Sequence, residues 1–524
     1  MRILPRPDSR YILLAVALCL IGYAPGYALG HAQVLAQRNW AGSGVTIEPW
    51  WRRAVFYRMD PETFQDSNGD GKGDLAGVTQ RLDYLQSLGV DALILKGVSP
   101  TAEGLEDLAR AAVGSHVRVL VELGAPASQS GDAAYIAEAR QWLNQGAAGL
   151  YVPTGLLQKV DGAGHIALLL HQLRAVTDSF PGGRVLLADA PSAVDQDLVK
   201  ALAKETQLTA SAPIAVAGSG GAAASLRTQL MADLGAAAGA PAVGEAAVAS
   251  SSPARGRRGR RRSVAATRAR ENNPLLLAAR VPADMDAVAK ARLERALAVM
   301  LLASRSAVML EYGEELGLDG AGTDGQLMQW TPTNVTRKLE PPAEPVATKP
   351  AMPGAGDRGF QAYIPPLRKD LFPPPRMPVV TESDEAVPVV IDPNTLAGFT
   401  AGTLDASRAG ANGATANVAM EQADPSSLLN LYRQLIQLHH DNPTVRNGAE
   451  TVLDYDAVGA VVWVRRAIAN SRTSATVVGV CNLSDKPVVM GELGGVRVRG
   501  VRALVGVVQG ETVAAGAVVV GEVK

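Results

Sequence analysis

Residues Phe64 to Leu95 read FQDSNGDGKGDLAGVTQRLDYLQSLGVDALIL, and this stretch decides how the rest of the chain is read. Asp66, Asn68, Asp70 and Asp74 alternate with Gly69, Gly71 and Gly73, so side-chain oxygens repeat along a loop whose glycines allow it to curl tightly. Such a loop suits a hard cation, and calcium is the expected cofactor, with Asp66, Asn68, Asp70, the Lys72 carbonyl and Asp74 as ligands. It is not a helix-loop-helix calcium hand, because the bidentate Glu due at loop position twelve is Gly77. Past the loop, Val78, Leu82, Leu85 and Leu88 share one helical face, Gly89 stops the helix, and Ala92 to Leu95 form a continuous apolar strand.

Working outward, eight strands are expected at Ala54 to Met59, Ala92 to Lys96, Arg118 to Leu123, Gly149 to Val152, Arg184 to Asp189, Gln207 to Val216, Leu275 to Val281 and Ser306 to Tyr312. Helical patterns such as AAYIAEARQWLNQG and ARLERALAVMLLAS fall between most of them. Alternation of this kind predicts an α/β fold, a closed parallel (β/α)8 TIM barrel over residues 45–320. Residues 401–450 supply closing helices, and the alternating apolar runs of 451–524 predict an antiparallel β-sandwich. Two stretches read as excursions: 218–270, rich in Ala, Gly and Arg, and the proline-rich 339–392 inside the loop region 321–400.

Composition narrows the function. The 524 residues carry 50 Lys+Arg against 51 Asp+Glu, which gives no global pull toward nucleic acid or membrane, and 2 Cys exclude a disulfide framework. Aromatic residues make up 4%, few for a groove that stacks rings on sugars. The run Arg255 to Arg262 is a local basic patch able to hold polyanions, without the features of specific nucleic-acid recognition. Arg2, Arg6 and Arg10 ahead of ILLAVALCLIGYA have the layout of a secretory signal over residues 1–32, so export is expected. Anchoring by an uncleaved segment is the alternative.

Together with Trp50, Trp51 and the strand AVFYRM, this opening resembles glycoside hydrolase family 13, the α-amylase family, in its oligo-1,6-glucosidase, α-glucosidase and trehalose synthase members. Further colinear matches are YGEELG at Tyr312, GQLMQW at Gly325, AGFT at Ala397, ADPSSLLNLYRQLIQLHHDNP at Ala423 and CNLS at Cys481. The resemblance implies carbohydrate metabolism, with an α-glucan or maltooligosaccharide as ligand. It also exposes a deletion: where the family inserts a cleft-wall (B) domain after the third strand, ELGAPASQSGDAAYIAEARQWL runs straight into the next helix.

A retaining α-glycosidase needs a nucleophilic carboxylate and a proton donor about 5 to 5.5 Å apart. The family's nucleophile Asp, carried over onto Gly149 to Pro153, meets Pro153, and the arginine that orients it meets Tyr151. VLLADAPS puts Asp189 at the general-acid position, one methylene shorter than the family's Glu. Where the family has Asn-His-Asp after the seventh strand, this chain has Ala279, Arg280 and Val281, with Asp284 as a displaced candidate. Glu122 stands in for the acid after the third strand. The motif containing Glu314 and Glu315 is expected to be structural, and adjacent His439 and His440 on one helix point to different faces and read as core or solvated histidines. The expectation is therefore a pseudoenzyme with a binding or assembly role. The alternatives are an altered α-glucan hydrolase or transglycosylase using Asp189, and a secreted protein that binds polyanions through its arginine-rich run.

Overall fold

The computed structural model describes residues 49–99, 102–124, 131–157, 163–189, 196–210, 274–277, 281, 285–304, 306–318, 325–331, 398–400, 412–413, 415–453, 459–467, 475–490 and 500–523. Eight parallel strands close on themselves: β1 (Val55–Met59), β2 (Ala92–Leu95), β3 (Arg118–Glu122), β4 (Gly149–Val152), β5 (Val185–Asp189), β6 (Leu208–Ala210), β7 (Pro274–Leu277) and β8 (Ala307–Glu311). Closure is made by β8 on β1, with Val55 opposite Val308 and Arg58 opposite Glu311. The expected barrel is thus present. Of the strands expected at Gln207 to Val216 and Leu275 to Val281, the described parts are Leu208–Ala210 and Pro274–Leu277; residues 211–216 and 278–280 lie outside the described residues.

Period-two alternation sorts each strand into an inner and an outer face. Phe56, Ile94, Leu120, Leu187 and Met309 fill the barrel interior, while Tyr57, Leu95, Val121, Leu186 and Leu310 belong to the larger core beneath the helices. The same parity aims Arg58, Glu122, Tyr151, Asp189 and Glu311 inward at the C-terminal ends of their strands, the end where barrels of this kind carry their chemistry. β3 ends at Glu122 and the next helix begins at Gly131, so the cleft-wall domain is absent, as the sequence implies.

The helix expected to run unbroken from Leu75 is two helices, Leu75–Gln80 and Leu82–Leu88. Arg81 interrupts them with a non-helical backbone, its Nε donating to Gln65 Oε1 at 2.7 Å and its guanidinium lying 4.1 Å from the Trp330 ring centroid. Gly89 ends the second helix in the left-handed conformation (φ 93).

After the barrel come the helices Val418–Ala423, Leu428–Asp441 and Pro443–Asn447. Strands β9 (Ala449–Leu453), β10 (Ala460–Arg466), β11 (Thr476–Asn482), β13 (Val501–Val505) and β15 (Val518–Val523) then form an antiparallel sheet in the order β13-β15-β11-β10-β9. A two-stranded sheet of β12 (Val488–Val489) and β14 (Thr512–Val513) shares with it a core of Val462, Val480, Val488, Val513 and Val519. The C-terminal region is β-rich and two-layered, as its alternation predicts. The expected leader (1–32), the excursions 218–270 and 339–392, Arg255 to Arg262 and Asp284 lie outside the described residues. Among the described residues no helix is long and apolar enough to cross a membrane.

Candidate functional site at the barrel mouth

The mouth is organised around one arginine. From the inner face of β1, Arg58 donates through Nε to Glu122 Oε2 at 2.6 Å, through Nη2 to Glu122 Oε1 at 3.0 Å and through Nη1 to Glu311 Oε1 at 2.7 Å. The fork-on-carboxylate geometry with Glu122 is the strong form of this pair. All three side chains are at least three-quarters removed from solvent. The guanidinium also lies 5.8 Å from the centroid of the Tyr151 ring. Burial works against the Arg58 charge, but the two carboxylates outweigh it and hold the group firmly protonated. Burial pushes the Glu311 carboxyl above its ordinary range even though Arg58 pulls it down, and Lys96 adds a further positive field there. The Tyr151 phenol is driven well above its ordinary value by burial, then by the charge of Asp189.

Pro153, where the resemblance sets the nucleophile, is buried between β4 and the short helix Thr154–Leu157. Asp189, which the resemblance sets at the general-acid position, turns its carboxylate onto that helix: Oδ1 accepts from the Thr154 backbone N–H and, at 2.8 Å, from Thr154 Oγ1. Its backbone carbonyl accepts from the same hydroxyl at 2.8 Å. Asp189 is therefore used as a clamp between the ends of β4 and β5. Of the third-carboxylate region, Val281 alone is described, and it is partly buried against the core.

Sequence reading named Glu122 and Asp189 but missed Arg58, Lys96 and Glu311. The available signal was parity: Arg58 follows inward Phe56 by two residues, and Glu311 follows inward Met309 by two, each a charge in an otherwise apolar strand. Glu315 bears out the structural reading of its motif. It is fully buried and accepts from Tyr57 Oη at 2.7 Å, Tyr84 Oη at 2.6 Å and the Gly313 N–H at 3.0 Å. The histidines also read correctly. His439 is buried with its two ring nitrogens 2.9 Å from the carbonyls of Leu302 and Arg53, and His440 meets Asp91 at 3.0 Å.

Beside the mouth, the acidic loop is held by segments far away in sequence. The Asp66 N–H donates to the Phe399 carbonyl at 3.0 Å, and Thr400 Oγ1 donates to Asp66 Oδ2 at 2.5 Å. Gln65 Nε2 reaches the Phe399 carbonyl at 2.6 Å, and Trp330 Nε1 reaches the Phe64 carbonyl at 3.0 Å. The MQW and GFT segments thus converge on this loop. Within it, Asp66 accepts from the N–H groups of Asn68, Gly69 and Gly71 at 2.7–3.0 Å, Asn68 from that of Asp70, and Asp70 from that of Lys72, both at 2.8 Å. Asp74 caps the following helix through the Gly77 N–H at 2.6 Å. A carboxylate carries about four acceptor sites; those of Asp66 are taken by Thr400 and three backbone N–H groups, whereas Asp70 and Asp74 keep lone pairs that a hard cation could use. In the conformation described, no three His, Cys, Asp or Glu side chains converge as metal ligands among the described residues.

Residues 59–103, which include this loop, match the family model "Alpha amylase, catalytic domain". In this stretch the chain is similar to the α-amylase family, glycoside hydrolase family 13. Its similarity to curated members is intense and short. It is 50% identical over 64 residues to a glucan 1,6-α-glucosidase of Streptococcus pneumoniae, 12% of each chain. It is 40% identical over 75 residues to an oligo-1,6-glucosidase of Bacillus cereus, 14% of this chain and 13% of that one. The matched stretch thus spans about an eighth of these relatives' length. In fold the likeness is broad. The α-glucosyl transfer enzyme XgtA superposes with a TM-score of 0.54 at 18% identity, over 91% of this chain and 100% of that one. The trehalulose synthase MutB of Pseudomonas mesoacidophila gives 0.55 at 15%, with the same coverage. The sequence likeness is thus local, whereas the likeness of fold extends over most of the chain.

Proposed function

We propose that this glycosidase-like α-amylase-family protein does not turn over glycosidic bonds by the family's covalent route and acts instead by binding or assembly, with an α-glucan or maltooligosaccharide as the candidate ligand. One observation carries the reading: every carboxylate described at the mouth has a structural engagement. Glu122 and Glu311 answer Arg58, Asp189 clamps Thr154, and a proline, Pro153, stands where the resemblance sets the nucleophile. Without a nucleophile there is no glycosyl-enzyme intermediate. The purified protein is expected to leave aryl α-glucosides, maltose and isomaltose at background. Turnover that disappears in Asp189→Ala would overturn the reading.

A second reading has some support from Glu311, whose raised carboxyl opposite other charged groups is a pattern used for acid–base work. In that case an altered hydrolase or transglycosylase would pair Asp189 with Glu311, and Glu311→Gln would abolish a measurable activity. We also propose that calcium occupies the Asp66 to Asp74 loop and braces the corner of the barrel, as its donor set suggests. Polyanion binding through Arg255 to Arg262 remains a separate proposal, tested by deleting that run.

A further inference from the structure

At the opposite end of the barrel, the foot, lies a recess of about 330 Å³ bounded by Trp50, His116, Arg118 and Arg184 and by the turns at Gly146 and Gly182. It has room for on the order of ten water molecules. Arg118 opens β3 and Arg184 directly precedes β5, so the two strand ends on either side of β4 each carry one guanidinium into the same space. Trp50, in the turn before β1, backs the recess, its ring centroid 4.3 Å from the Arg118 guanidinium carbon. His116 stands beside Arg118 with φ 60, the one non-glycine residue with a left-handed backbone among those described.

What distinguishes this recess is missing counter-charge. Arg58 has two carboxylates and Arg292 has Asp485. Among the described residues, the guanidinium groups of Arg118 and Arg184 make no hydrogen bond or ion pair, the Arg184 Nε is buried with no acceptor, and no carboxylate lines the recess. Burial lowers both guanidinium pKa values, offset at Arg118 in part by the more distant Asp91. Two partly desolvated like charges facing one space are unfavourable alone, and a doubly charged oxyanion between them supplies acceptors and counter-charge together.

We propose that the foot of the barrel binds a small doubly charged oxyanion, inorganic phosphate or the phosphoryl group of a small phosphorylated compound, between Arg118 and Arg184 with His116 at its rim. The geometry fits such a group in size and charge, and the site is separate from the mouth.

The test uses the full chain and follows its thermal midpoint and tryptophan fluorescence during titration with inorganic phosphate, against chloride at matched ionic strength. Phosphate should raise the wild-type midpoint saturably by a few degrees. Arg184→Gln should lose the effect and Arg184→Lys should keep part of it. Glycerol phosphate saturating at lower concentration than inorganic phosphate would assign the site to phosphorylated compounds, and the reverse order to free phosphate. A shift of equal size in wild type and Arg184→Gln would place the anion elsewhere, for instance on Arg255 to Arg262, and would overturn the proposal. So would an equal shift with chloride. If Arg184→Gln does not fold, the Lys variant decides: a saturation curve unchanged from wild type overturns the site, and one displaced to higher phosphate supports it.

Discussion

Two neighbouring parts of the barrel have had opposite histories. The corner from the end of β1 through the acidic loop to β2 lies in the stretch that matches the alpha-amylase model, whereas the ends of β4 and β5 lie outside it and carry Pro153 and a clamped Asp189. The difference teaches that the corner is retained for architecture. Its backbone is so tightly packed that a Cβ at Gly77 would meet the Gln65 carbonyl at 2.0 Å, and one at Gly73 would meet the Pro61 carbonyl at the same distance. The mouth imposes no such steric condition. Its carboxylates serve as ion-pair partners and clamps.

The sharpest way to break this comparison is Gly77→Ala. The obstructing atom is backbone and cannot swing aside, so a loss of about 3 kcal/mol or more is expected in denaturant unfolding. A loss below 0.5 kcal/mol, an order-of-magnitude bound for neutral sites, would mean the corner is not sterically fixed. Calcium comes next. An ion bound to the folded form alone stabilises by about 2.7 kcal/mol at a hundredfold excess over Kd, seen as a rise in thermal midpoint that Asp70→Ala removes. Equal calcium shifts in both proteins would show that the loop is held by its hydrogen bonds and not by an ion.

At the mouth, Arg58→Met leaves Glu122 and Glu311 facing each other without a cation and should cost about 2 kcal/mol, less than for a fully buried pair because the cluster retains some solvent. Adding Glu122→Gln and Glu311→Gln should recover most of it. Failure to recover would assign Arg58 a packing role.

The smallest effect concerns pH, and its sign differs between the two regions. Burial acts to raise the Asp66 carboxyl, but hydrogen bonds from Thr400 and three backbone N–H groups prevail and hold it below its ordinary value. Its stabilisation is present above the ordinary Asp range and is lost as pH falls through the depressed value. Glu311 is raised, so its contribution is fully present below the ordinary Glu range and is lost as pH rises through the raised value. Asp66→Asn should therefore weaken the protein at neutral pH and converge with wild type in acid. Glu311→Gln should gain relative to wild type as pH rises, by about 1 kcal/mol or less, and parallel pH curves for the two variants would refute the contrast.

What the sequence by itself determined is whatever depends on near neighbours. The order of strands and helices follows from periodicity, the helix stop at Gly89 from its freedom at positive φ, and the acidic loop from alternating Asp and Gly. The absence of a carboxylate at the end of β4 needed only a resemblance of motif. The chain order alone could not show the break at Arg81, where the guanidinium meets Trp330, a residue far along the chain brought to the loop by the closed fold. Nor could it show that Arg58, Glu122 and Glu311 share one cluster, or that Arg118 and Arg184 face one recess. Those groups sit on strands from different parts of the chain, and only closure of the barrel, which sets register and sends alternate side chains into a common interior, places them within reach of one another.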